Sequence, residues 1–268
     1  MREFFLTLGQ ISIQPGRKAE NISAAVRVID SGSRLDGADL VVLPEALPLG
    51  WTHRSARTEA EPIPDGAFCR ALSEAARRNK VWVCSGLIER DRDRIFNSAV
   101  LINADGEVVL THRKINELDI AHDLYAQGDW LNVVDSPFGR IGVMICADAF
   151  AEKQAIARAL ALMGAEIILS PCSWAVPAGH DNQREPYGQL WLDNYQPVAR
   201  EFGLWIAGVS NVGPITEGPW SGRKCIGCSL VIGPEGEVAY KAPYGESAEQ
   251  VTSIMITPRP RERTCSGG

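Results

Sequence analysis

Two stretches of this chain read almost alike: Val-Leu-Ile-Asn-Ala-Asp-Gly-Glu-Val, starting at Val100, and Leu-Val-Ile-Gly-Pro-Glu-Gly-Glu-Val, starting at Leu230. Each is an apolar run, a turn cluster closing on glycine and the start of a second run, which is the signature of a β-hairpin. The segments before each hairpin repeat as well. Phe4 to Ile13 reads as a strand closed by Pro15-Gly16, and Asn21 to Asp30 as an amphipathic helix. Asp39 to Pro44 reads as a second strand, 65–79 as a helix rich in Ala and Arg, and Val81 to Ile88 as a third strand. Ile95–Ile102 and Glu107–His112 then flank the first turn. In the second half the order is strand Ile141–Cys146, helix 151–163, strand Glu166–Ser170, helix 185–202 and strand Leu204–Ser210. Its hairpin turns through 233–236. Two such copies predict an α/β fold of two sheets related by a pseudo-twofold, with the helices outside.

The length of 268 residues suits one large domain or two fused halves. We divide the chain into a domain over 1–257 and a Pro/Arg-rich tail or dimer arm over 258–268, which has no apolar period. A net charge of −6 argues against nucleic acid or an anionic membrane as the main partner. No run is long and apolar enough to span a bilayer, and Met1 to Leu8 reads as a first strand rather than a signal peptide. Seven scattered cysteines form no disulfide framework, which fits reduced thiols in a cytoplasm. Cys225-Ile-Gly-Cys228 lacks a second ligand pair, so it reads as part of a strand running into Ser-Leu-Val-Ile and not as a metal site.

Chemistry gathers elsewhere. Cys146 ends the strand Ile141–Ile145, and an Ala/Glu/Lys-rich stretch that reads as helix follows Asp148. At such a corner the free N–H groups of the helix favour a thiolate, making Cys146 a candidate nucleophile. Glu45 follows Val-Val-Leu-Pro at the end of the second strand, and Lys114 follows the first hairpin. Ligands of open α/β sheets gather outside the carboxyl ends of strands. Glu45 and Cys146 are expected there, at near-equivalent places in the two halves, and so can converge at the pseudo-twofold.

Leu-Pro-Glu (43–45), Arg-Lys-Ile (113–115) and Gly-Val-Met-Ile-Cys-Ala-Asp (142–148), in this order, resemble the nitrilase superfamily of carbon–nitrogen hydrolases. The resemblance extends through Phe-Asn-Ser-Ala (96–99), Pro-Phe-Gly-Arg-Ile-Gly (137–142) and Ser-Asn-Val-Gly (210–213), and so covers nearly the whole chain. It implies a four-layer α-β-β-α sandwich, a homodimer or larger homo-oligomer, and a Glu45–Lys114–Cys146 triad without metal or organic cofactor. In that triad Cys146 attacks an amide carbonyl and Glu45 moves the protons, while Lys114 and the Ala147 backbone N–H hold the oxyanion.

Two departures from the family pattern bear on function. Family members carry a further acidic residue between the Lys and the Cys. Here Asp123 and Glu117 compete, and the spacing before Gly128 favours Asp123. Nitrile hydrolysers carry Cys-Trp-Glu where this chain has Cys-Ala-Asp, which favours an amide. Trp174 is a candidate pocket wall and Arg184 a weaker partner for a substrate carboxylate. His53, His112, His122 and His180 show no ligand spacing. The expectation is a cytoplasmic amidohydrolase on small linear amides. N-carbamoyl compounds are the nearest alternative, acyl transfer and nitrile hydrolysis lie further off, and a silent binding or scaffold homologue is the reading from another class.

Overall fold

Both halves close a six-stranded sheet of the same design. The computed structural model describes residues 3–35 and 37–260. The first half runs β1 (Phe4–Gln10), α1 (Lys18–Leu35), β2 (Leu40–Val42), α2 (Ala56–Glu59), α3 (Ala67–Asn79), β3 (Trp82–Asp91), β4 (Arg94–Ile102) and β5 (Val108–Arg113). The second runs β6 (Val133–Ser136), β7 (Gly139–Val143), α4 (Ala155–Leu162), β8 (Ile167–Cys172), β9 (Ala175–Val176), α5 (Gln189–Phe202) and β10 (Trp205–Ser210). It ends with β11 (Val212–Pro214), β12 (Lys224–Ile226), β13 (Leu230–Ile232), β14 (Val238–Lys241) and β15 (Gln250–Ile256). One sheet has the order β15-β1-β2-β3-β4-β5. The other, read from its far edge, is β6-β7-β8-β10-β13-β14. In each, three parallel strands are followed by an antiparallel hairpin and flanked on the other side by an antiparallel edge strand.

The hairpin likeness holds down to the backbone. Ile102 pairs with Val108 and Ile232 with Val238, and each hairpin has an irregularity just before that pair. Gly106 and Gly236 stand at φ +82° and +78° in the two turns, a conformation that costs glycine nothing.

Alternation within the strands stacks four layers. Leu40 and Val42 face the other sheet, packing with Ile141, Val143, Ile167 and Leu169 in a core between the sheets. Val41 and Leu43 point the other way, onto α1 and α3 with Val28, Ile29 and Leu72. Ile168 and Ile206 likewise face α4 and α5 through Leu160, Tyr195 and Val198. This is the period-2 logic of a sheet buried on both faces.

Three details differ from the sequence reading. The helix expected over 151–163 is α4, which starts only at Ala155; residues 146–150 form a 3₁₀ turn instead. Cys225 and Cys228 do not share a strand, because Gly227 and Cys228 take φ of +66° and +61° and redirect the chain from β12 into β13 of another sheet. Glu45 and Cys146 are not at equivalent places. Cys146 follows β7, the counterpart of β1, whereas Glu45 follows β2, whose counterpart is β8. The tail expected over 258–268 lies outside the described residues from 261 onward, and within it Arg259 pairs with Glu235 at 2.7 Å. No helix among the described residues is long and apolar enough to cross a membrane.

Candidate active site

The two halves meet where β2 and β8 end. The Glu45 N–H donates to the Cys172 carbonyl at 3.2 Å, and the Ser173 hydroxyl reaches the Glu45 carbonyl at 3.4 Å. Gly86 on β3 makes this approach possible, since a Cβ there would collide with the Glu45 Cα. Its counterpart on β10, Gly208, leaves room in the same way for Trp174 and Tyr195. Small residues on the third parallel strand thus set the depth of both neighbours.

Glu45 is buried beneath its own loop, and its Oε1 accepts from Lys114 Nζ at 2.8 Å and from Asn97 Nδ2 at 2.7 Å. Lys114 continues directly from β5, whose last residue is pinned. Arg113 stacks 3.9 Å above the Phe96 ring, with its Nε on Glu89 at 2.9 Å and a second nitrogen on Asp91 at 2.9 Å. On its other side Lys114 Nζ lies 3.3 Å from Glu117, which also accepts from Asn97 at 3.1 Å. Burial pulls the Lys114 ammonium down, but Glu45 and Glu117 together outweigh it and hold its pKa well above the ordinary value. Burial raises the Glu117 carboxyl, an effect that Lys114 opposes and Glu45 reinforces.

Cys146 begins the 3₁₀ turn with φ +44°, a left-handed conformation that costs a non-glycine residue energy and persists only where its surroundings impose it. Asp148 imposes it. Its Oδ2 accepts from the Ile145 N–H at 2.8 Å and from His112 Nε2 at 2.8 Å. Its Oδ1 accepts from the N–H groups of Ile115 at 3.1 Å and Asn116 at 2.7 Å. Burial favours the neutral carboxyl, but the His112 bond and the backbone donors prevail, so Asp148 stays below its usual pKa. One buried carboxylate therefore ties the cysteine turn to the segment after Lys114. No local pattern announces this role for Asp148 and His112, which stand 36 residues apart.

The surroundings of Cys146 do not favour the expected thiolate. Burial pushes the Cys146 thiol well above its usual pKa, with the neighbouring Cys172 thiol and Glu45 adding to the rise and Lys114 opposing it. The reason lies in the local fold. α4 begins nine residues beyond the cysteine, so the helix expected to start at the corner does not follow it directly.

Glu45, Lys114, Cys146, Ala147 and Trp174 all line one cavity of about 190 Å³. Asp123 does not. It is exposed, its carbonyl receiving Arg57 at 3.0 Å, while Glu117 occupies the buried position beside Lys114. Arg184 is exposed and does not line the cavity. Among the described residues no cluster of three or more His, Cys, Asp or Glu side chains is arranged to hold a metal.

Comparison with known proteins agrees with this architecture. A nitrilase of Pyrococcus abyssi is 32% identical over 241 residues, covering 88% of this chain and 84% of its own. An omega-amidase of Xenopus laevis is 27% identical over 264 residues, covering 92% and 87%. Among solved structures, a nitrilase-superfamily protein of Saccharomyces cerevisiae superposes with a TM-score of 0.81 at 22% identity, over 96% of this chain and 91% of that one. A double mutant of a Nesterenkonia amidase in complex with acrylamide gives 0.79 at 18% identity, over 95% and 90%. At those identities the two structures speak for the fold alone. The carbon-nitrogen hydrolase family profile matches residues 5–263. By that match and by its relatives, the chain belongs to the carbon–nitrogen hydrolase family, as an enzyme of the amidohydrolase type.

Proposed function

We propose that this enzyme hydrolyses small linear amides through a thioester acyl-enzyme on Cys146. One observation carries the reading: a thiol on a strained turn shares a cavity with a buried carboxylate–ammonium pair 2.8 Å apart. A thiol whose pKa burial raises is activated by a base, and the Glu45 carboxylate is the base that lines the same cavity. Glu45 takes the thiol proton as the sulfur bonds to the carbonyl carbon. The oxyanion that forms is met by Lys114 and the Ala147 N–H, in a site where fixed charge acts strongly. The C–N bond then breaks and Glu45 passes its proton to the departing amine. Water, deprotonated by Glu45, attacks the thioester carbon; the C–S bond breaks and the proton returns to the sulfur.

The names omega-amidase and amidase among the relatives favour an amide, and a nitrilase among them keeps nitriles in the test. Ammonia release over a panel of primary amides, N-carbamoyl compounds and nitriles is the experiment, together with intact mass after acid quench. Amide turnover with an acyl adduct mapped to Cys146 is expected. Ammonia from nitriles or carbamoyl compounds alone removes the amide reading.

Glu117 is assigned the further acidic position for which the sequence reading preferred Asp123. Asp123→Asn is expected to leave turnover unaltered, as surface changes do. Glu117→Gln removes a charged partner of Lys114, an interaction contributing about 1.5–3 kcal/mol, and should slow turnover roughly tenfold or more. Equal rates for the two variants remove the assignment, and a slowed Asp123→Asn beside an unaltered Glu117→Gln reverses it. A cytoplasmic homo-oligomer belongs to the same proposal. Leu162, 76% exposed, and its neighbour Met163 at the end of α4 form a surface that a second copy would cover.

A further inference from the structure

We infer that the acyl side of the substrate is neutral and aromatic, an aryl or arylalkyl amide rather than an amide carrying a carboxylate. This rests on the amide reading of the cavity and adds the substrate class to it. Six aromatic side chains line the space: Trp51, Phe150, Trp174, Tyr187, Trp191 and Trp220. They are already organised as ring pairs. Trp174 stacks on Trp191 at 4.5 Å and 22°, Phe150 tilts onto Trp191 at 5.6 Å, and Trp51 meets Trp220 at 4.8 Å. Ring spacings of roughly 4.5–7 Å are those at which aromatic groups attract, so a further ring finds favourable faces and edges here. The size agrees. An apolar cavity of roughly 150 Å³ holds benzene, and this one is about 190 Å³.

Charge points the same way. Lys114 is the sole cation among the lining residues, and its ammonium is engaged by Glu45 at 2.8 Å and Glu117 at 3.3 Å. Two carboxyl groups thus face one ammonium, leaving no spare positive charge for an anionic substrate. Arg223 comes no nearer than the ring of Trp220, 4.3 Å from its centroid, and is not a lining residue. A substrate carboxylate would lose its hydration here without gaining a partner. A cationic group fares no better, because Glu45, the sole carboxylate among the lining residues, is already held by Lys114 at 2.8 Å.

The test uses the full chain and two readouts. In Cys146→Ala, tryptophan fluorescence is titrated with phenylacetamide, with succinamate as the anionic amide and with β-alaninamide as the cationic one. Phenylacetamide should bind at least about tenfold more tightly than either, and in the wild-type enzyme its kcat/KM for ammonia release should exceed that of succinamate by roughly 100-fold. Trp191→Leu should raise KM for phenylacetamide by a larger factor than KM for acetamide. Preference for succinamate or β-alaninamide in either readout, or no binding of phenylacetamide, overturns the inference and leaves amide hydrolysis standing. Binding of phenylacetamide without ammonia from any amide supports the pocket chemistry and removes the hydrolytic reading instead.

Discussion

Replacing Glu45 by Gln should lower kcat/KM for every amide the enzyme cleaves by roughly two to four orders of magnitude, the usual contribution of a positioned general base. The substitution isolates proton transfer. A Gln carbonyl at the Oε1 position still accepts from Lys114 and Asn97, which now sit 2.8 and 2.7 Å from it, so the pocket keeps its shape. Acylation and deacylation should slow together, because the same group serves both. Thiol acidity should move the opposite way. The Glu45 charge is one of the causes that raise the Cys146 pKa, after burial and the contact with Cys172, so its removal makes the thiol more acidic. The pH dependence of iodoacetamide alkylation at Cys146 reads this directly. The variant's profile should shift to lower pH than wild type while its turnover collapses. Turnover within a factor of a few of wild type, or a profile shifted to higher pH, removes Glu45 as the base.

The parts of this molecule that could be read from the sequence are those carried by local pattern. The hairpins at Val100 and Leu230 were visible because turn chemistry and alternation are encoded within nine residues, and their registers match. The strand ends bearing Glu45 and Cys146 were visible because each closes an apolar run. What escaped depends on contacts between distant segments. Nothing around His112 says that Asp148 lies opposite it, since the pairing exists only after β5 and β7 belong to facing sheets. The choice of Asp123 over Glu117 failed for a similar reason. Asp148 folds residues 115–116 back over the cysteine turn, bringing Glu117 under Lys114, whereas Asp123 follows a short 3₁₀ turn at Asp119–Ala121 into solvent. The expected helix N-terminus at Cys146 fails over where a helix begins. A helical composition after Asp148 does not reveal that the chain first makes a 3₁₀ turn, with Lys153 and Gln154 at positive φ before α4.

Lys114→Met should slow the chemical steps by roughly two to three orders of magnitude, the loss expected for one donor to an oxyanion. Lys114→Arg should not restore them, because a planar guanidinium fork cannot occupy the point held by Nζ between Glu45 and Glu117. A stability signature should accompany the kinetic one. Removing the ammonium leaves two buried carboxylates facing each other, and breaking a buried pair in this way costs about 3–5 kcal/mol. The sign with pH follows from Glu117, whose carboxyl burial already raises and Lys114 opposes. Without Lys114 its folded pKa climbs further, so the folded state binds more protons than the unfolded one. Stability of the variant is then greatest below the ordinary carboxylate range and falls as pH rises through the folded value. Denaturant titrations at pH 5 and pH 8 should therefore show a larger deficit at pH 8. Adding Glu117→Gln to Lys114→Met should recover stability at pH 8, since one of the unpaired charges is gone, but should recover no turnover. Cys146 should also become harder to alkylate at neutral pH, because Lys114 is the charge that opposes the rise of its pKa. A double variant that regained both stability and turnover would show that Lys114 serves the fold alone, leaving Glu45 and Cys146 to act without a charged oxyanion partner.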